Sequence, residues 1–240
     1  MQMKFIGCAA GNFKPGRPFD FTAEAIVVHI AVGSLRSVDS QFNDSNSKVS
    51  AHYCVGKTGE IHQYVHETDT AFHTGTVVNP SWPLLKPKVN PNFYTIGIEH
   101  EGLPDDVWPD PQIATSAALI GEIAQRWKIP LDPLHVIRHH QIRASKTCPG
   151  NFMTIENLLS RVPAPPRAPS PRLLRTTVNL KVRAGKASVK APAIRTVPAN
   201  TTISASGVET GDDVNGNPNW YADGMGNFFW AGGTSEPQPA

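Results

Sequence analysis

The 240-residue sequence is poor in cysteine, nearly balanced in charge and without a long apolar run. Three cysteines, Cys8, Cys54 and Cys148, do not make a disulfide framework, and their odd number leaves at least one thiol unpaired within the chain. A Cys8–Cys54 bridge stays open at this point. A formal net charge of +2 is too small to make nucleic acid the main partner. No apolar stretch approaches the roughly eighteen residues a membrane-spanning helix needs, so no membrane insertion is expected. The opening MQMKFIGCAAGNFKPGRP holds only a short apolar patch. It reads as no standard secretory signal, and any exit from a cell is expected to use another route. No internal repeat is evident.

What is present is an ordinary globular composition, 40% hydrophobic and 18% charged. One segment breaks it: VPAPPRAPSPR, from Val162 to Arg172. Proline at that density blocks helix and sheet and favours an extended spacer. The expected organisation is a first domain over 1–162, a linker over 163–172 and a second domain over 173–240.

The first domain reads as α/β, a mixed central sheet flanked by helices. EAIVVHIAV (Glu24–Val32) is a continuous apolar run, typical of a strand covered on both faces. SAHYCVGKTGEIHQYV reads as a hairpin, FYTIGIEHEG (Phe93–Gly102) as a further strand, and PLHVIRHHQI as a short one. In DPQIATSAALIGEIAQRWKI, Asp110 is the expected N-cap and Pro111 the first helical residue. Ile113, Ala117, Ile120, Ala124 and Trp127 then mark one face of an amphipathic helix. A last short helix is expected from Met153 to Arg161. The tail has no helical period. TTVNLKVRAG, TTISASGV, NWYADG and NFFWAGG are β-rich with turns between them, as in a small all-β barrel.

Nine histidines stand among these elements, and a lone histidine is more often bland than functional. His29 differs because it sits in an apolar strand, where an unpaired imidazole is costly. His139 and Cys148 lie either side of a polar loop, and Pro149-Gly150 fixes the backbone after the cysteine. Imidazole and thiolate are both zinc ligands, and two histidines with one cysteine leave a fourth tetrahedral position for water. On spacing alone, unrelated polar residues near strand ends remain the alternative.

The motifs together resemble zinc-dependent N-acetylmuramoyl-L-alanine amidases, the group that includes phage lysozyme-type amidases, AmpD-like amidases and peptidoglycan recognition proteins. VVHIAVGS, SAHYCVGKTGEIHQYV, TAFHTG, FYTIGIEHEG and RHHQIRASKTCPG are similar to five of its segments in the same order. The likeness spans about Phe5 to Val162. It implies that His29, His139 and Cys148 bind Zn2+, with His140 as the rival for the second position. It implies Glu99 as general base, with Glu101 as the local rival, and Lys146 as the group that stabilises the oxyanion. His73 would contact substrate, while His52 would support the hairpin. Ala51 departs from the tyrosine that the phage enzymes carry there, which shifts proton transfer towards Glu99.

The tail resembles bacterial SH3-like domains through LKVRAG and NWYADG…NFFWAGG. Trp220, Tyr221, Phe229 and Trp230 are expected to fill its core rather than to line a ligand groove. The resemblance implies a monomeric peptidoglycan hydrolase acting at the bacterial cell wall, a phage endolysin or a bacterial lytic enzyme. A non-catalytic recognition module and a cytosolic amidase recycling muropeptides are the alternatives.

Overall fold

A computed structural model of the chain describes residues 3–164 and 171–235. Most of the expected linker, residues 165–170, lies outside them. The chain divides into two compact units, Met1–Pro163 and Ala164–Ala240.

In the first unit, strands β1 (Met3–Phe5), β2 (Phe13–Lys14), β3 (Ala25–Val28), β4 (Tyr53–Val55), β5 (Ile61–Gln63), β6 (Thr70–Ala71), β7 (Thr95–His100) and β8 (Val136–Arg138) are joined by three helices. These are α1 (Leu35–Asn43), α2 (Asp110–Trp127) and α3 (Ile155–Ser160). Six strands make one mixed sheet in the order β1-β5-β4-β7-β3-β8. β4, β7, β3 and β8 run parallel, and β5 is antiparallel to β4.

β3 is apolar on both sides because both sides are covered. Ile26 and Val28 pack towards Ile113, Leu119, Ile120 and Ile123 of α2. Ala25 and Val27 pack towards Trp82, Tyr94 and Ile137. The stripe Ile113, Ala117, Ile120 and Ala124 is the buried face of α2, as its spacing requires.

The start of α2 corrects one expectation. Pro109 is the N-cap and makes no side-chain cap bond, and Asp110 lies in the first turn. There its carboxylate complements the helix dipole and meets Arg161 at 2.8 Å. α3 is shorter than expected, because Thr154 caps it by accepting from Asn157 N–H. α1 was not foreseen. Ser34 caps it, and Leu35, Val38 and Phe42 bury one face against a cluster with Cys54 and Tyr64. All three cysteines are free thiols.

The second unit is all β: β9 (Arg172–Thr176), β10 (Leu180–Ala184), β11 (Ala193–Val197), β12 (Thr202–Ala205), β13 (Gly207–Val214), β14 (Asn217–Ala222), β15 (Asn227–Trp230) and β16 (Thr234–Ser235). They form antiparallel sheets in the orders β11-β10-β15-β14-β13 and β12-β9-β16. Asn215 and Gly216 both take positive φ, 53° and 81°, as the tight turn between β13 and β14 demands. Leu174, Leu180, Val182, Val197, Ile203 and Phe229 make its core, with Tyr221 and Trp230 packed against it. Trp220 is buried and donates its indole N–H to the Asp212 carbonyl at 2.9 Å.

Candidate metal centre

The centre forms where parallel strands end on one edge of the sheet. His29 directly follows β3, Glu99 is near the end of β7, and His139 directly follows β8. Cys148 comes from the loop beyond, at a cis Cys148–Pro149 peptide bond. Crevices at the carboxyl ends of parallel strands are where α/β sheets bind ligands, because each strand can deliver one side chain there.

Strand alternation sorts the residues of β7. Ile96 and Ile98 enter the core under α2. Glu99 therefore faces the other side, where its Oε1 lies 3.9 Å from His29 Nδ1. His100 sits on the α2 side, stacked on Trp108 with ring centroids 4.1 Å apart. Its Nδ1–H donates to the His29 carbonyl at 2.9 Å, and its Nε2 accepts from Ser116 at 2.7 Å. His100 thus pins the backbone of His29 from the opposite face to Glu99.

His29, His139 and Cys148 are buried, and their donor atoms all lie within 4.8 Å of one another. The two Nδ1 atoms are 3.0 Å apart. His139 Nε2 lies 2.9 Å from the Thr74 carbonyl, which can only accept, so that nitrogen carries the proton. Its Nδ1 is then a bare lone pair turned into the centre. Two imidazole nitrogens and one sulfur that converge in this way are a fitting donor set for a borderline-soft cation such as zinc.

Electrostatics follow from burial. Desolvation holds His29 well below the usual imidazole range, helped by the neighbouring histidines. It lowers His139 to about 4. Neutral rings are what metal ligation requires. Burial raises the Cys148 thiol above its ordinary value. Burial also pushes Glu99 up to about 8, opposed by the positive charge of Lys146. Glu99 Oε2 is buried and has no hydrogen-bond partner among the described residues.

A groove of about 320 Å³ opens onto these groups, lined by His29, Glu99, His139, Cys148, His73 and Lys146 among others. Every site residue expected from the sequence therefore reaches one groove. The rivals do not. His140 is exposed and bonds the Lys146 carbonyl at 2.9 Å, while Glu101 accepts from the backbone N–H of Lys57 at 2.8 Å. His52 accepts from Gly97 N–H at 3.0 Å and so braces β7.

Several groove residues carried no sequence signal. Phe42 and Gln41 come from the unforeseen α1, and Val49 and Phe72 add apolar wall. Val32 stands at the rim, 62% exposed, with φ at +55°. A β-branched residue in that left-handed region is strained, and such strain is often kept at functional sites.

A His–His–Cys centre beside a buried carboxylate, at the strand ends of a mixed sheet, has the donor set of a mononuclear metal hydrolase. The sequence model of the N-acetylmuramoyl-L-alanine amidase family (Amidase_2) matches residues 20–151, and the chain belongs to that family. The chain is 33% identical over 125 residues to N-acetylmuramoyl-L-alanine amidase A of Achromobacter lyticus, a match covering 47% of this chain. It spans 63% of that relative's length. Among solved structures it is similar to a selenomethionine derivative of AmpD, at 22% identity and a TM-score of 0.57, covering 68% of this chain and 95% of that one. It is also similar to a mutant endolysin from Bacillus subtilis, at 19% identity and a TM-score of 0.53, covering 68% of this chain and 100% of that one. At such identities the structural likeness is one of fold.

Proposed function

We propose that the protein is a zinc-dependent peptidoglycan hydrolase that cleaves the amide between N-acetylmuramic acid and L-alanine. The observation that carries this reading is the convergence of His29 Nδ1, His139 Nδ1 and Cys148 Sγ in one groove with Glu99, within a chain of the amidase family. Zinc held by those three donors would supply Lewis acidity and make a bound water more acidic.

The chain's own groups then divide the work. Glu99 takes the proton from the water that attacks the lactyl carbonyl, and later gives it to the departing alanine nitrogen. Burial favours its protonated form, whereas Lys146 and a bound dication favour its carboxylate, so it is poised between the two. Lys146 offsets the negative charge that grows on the carbonyl oxygen. His73 supplies groove wall against which the substrate rests. The second unit acts as an SH3-like module that holds the enzyme on the wall, a reading supported by its antiparallel sheets and by Trp220 and Phe229 buried in a largely aliphatic interior. The protein works at the bacterial cell wall, where the peptidoglycan that this reaction cleaves lies. No helix among the described residues is long and apolar enough to cross a membrane.

The test is incubation with intact peptidoglycan, with and without a zinc chelator. Chelator-sensitive appearance of alanine amino termini, without new reducing sugar ends, is expected. Wall binding without release in the presence of zinc would instead favour a recognition module.

A further inference from the structure

The outer nitrogen of His29 meets neither solvent nor a carboxylate. His29 Nε2 lies 3.1 Å from His73 Nδ1. His73 Nε2 lies 3.2 Å from Thr95 Oγ1, which in turn lies 2.8 Å from the Pro91 carbonyl. All three side chains are buried. The chain of bonds has a direction, and its far end sets it.

A carbonyl only accepts, so the Thr95 hydroxyl gives its proton to Pro91. Thr95 Oγ1 then offers a lone pair to His73, and His73 Nε2 carries the hydrogen. In a neutral ring that leaves His73 Nδ1 bare, ready to accept from Nε2–H of His29. A neutral His29 then has a bare Nδ1 that faces the bare Nδ1 of His139 at 3.0 Å, two lone pairs that a shared cation, rather than a hydrogen bond, would satisfy. Reversed polarity would put a proton on the nitrogen facing the centre.

We propose that Thr95 and His73 are positioning residues that hold His29 in its Nε2–H tautomer, so that its Nδ1 lone pair is presented to a metal ion. This rests on the metal-site reading above. Outer partners of ligating histidines commonly do this through a carboxylate or carbonyl. Here a second imidazole, locked by a threonine, takes that place. It adds no negative charge to the centre, and it brings the groove wall and the ligand under one constraint.

Gly97 supplies a second, independent observation. A Cβ there would lie 2.5 Å from Cγ and 2.6 Å from Nδ1 of His73. Only the missing side chain lets the imidazole lie against the backbone of β7. Thr95, Gly97 and Glu99 are thus alternate residues on one face of one strand, serving the relay, its packing space and the carboxylate in turn.

The decisive measurement uses the full-length, zinc-loaded protein with 15N-labelled histidine. Long-range 1H–15N correlations should show His29 with protonated Nε2 and metal-bound Nδ1. The reverse assignment would overturn the relay, whatever happens to any variant. Thr95→Val removes the acceptor while keeping the shape. It should mix or invert the His29 tautomer and weaken zinc binding by about 10- to 100-fold, read by competition with a chromophoric chelator. Thr95→Ser should restore both. Wild-type tautomer and wild-type zinc affinity in Thr95→Val would sink the proposal. If the wild-type protein bound no zinc at all, the metal reading itself would fall, and the purpose of the relay with it.

Discussion

The two units solve the problem of an interior in opposite ways. All nine histidines and all three cysteines belong to the first unit, and the second has neither. The second buries Leu, Val, Ile, Phe and Trp, and Thr176 is its buried polar residue among those described. The first buries His29, His52, His73, His100 and His139, together with Asn12, Thr95, Gln112 and Ser116. Buried polar groups cost free energy unless each finds a partner. In the first unit many do so through long-range bonds, as Asn12 does to the Phe42 carbonyl and His29 to His73, while Glu99 Oε2 and Gln112 Oε1 have no partner among the described residues. Stability alone does not require such an interior, as the second unit shows. The difference teaches where the chemistry lies.

The sharpest way to break the comparison is to remove a metal donor. His29→Ala should abolish zinc binding and reduce amide cleavage to background, while the melting of the second unit is unchanged. Zinc content, alanine release and calorimetry read the three parts. Glu99→Gln should keep zinc but lower kcat by about 10²- to 10⁴-fold, the usual range for a general acid–base group. Loss of zinc in that variant would place Glu99 in the metal set instead.

The reverse experiment acts on the other interior. Trp220→Ala should cost the second unit about 3–5 kcal/mol, as large-to-small core changes do. It should leave cleavage of a small soluble muramoyl peptide unaltered. A fall in that activity would mean that the units are not independent.

Acid separates them without mutation. Burial lowers His52 and His100 to about 3, from an ordinary value of 6.5. The unfolded chain therefore binds more protons than the folded one between those values, so stability is complete above about pH 6.5 and falls as pH drops towards 3. Metal-free protein should lose the first unit in that window, at a cost on the order of a few kcal/mol per ring by pH 4. The second unit, without histidine, should melt later. Near-UV circular dichroism and fluorescence against pH would follow both. The smallest effect is local to α1: Ser34→Ala removes the cap bond to Ser37 N–H and should cost about 1 kcal/mol in thermal unfolding.

Part of this molecule was legible in one dimension. The apolar run at β3, the stripe of α2 and the alternating tail follow from periodicity, which is local by nature. α1 was missed because its apolar residues are few, only Leu35, Val38 and Phe42 being buried. The start of α2 was misplaced by one residue, since Asp in the first turn and Asp at the cap leave the same trace in a sequence.

The sequence by itself determined the candidate donors, the proline-rich break at Val162–Arg172 and the two kinds of secondary structure on either side of it. It could not choose His139 over His140, because both stand at the same strand end. Nor could alternation separate Glu99 from Glu101, which share a phase. The tertiary structure brings His139 and Glu99 to the groove and leaves His140 and Glu101 outside its lining. His29 and His139 are 110 residues apart in the chain and 3.0 Å apart at Nδ1. They meet because β8 adds beside β3, parallel and in register, so that two strands end together. Which proton each ring carries was decided further out still, by carbonyls at Thr74 and Pro91 whose place in the sequence betrays nothing of that role. Local pattern fixes which residues face a core, but only strand order and register bring lone pairs from distant segments to one point.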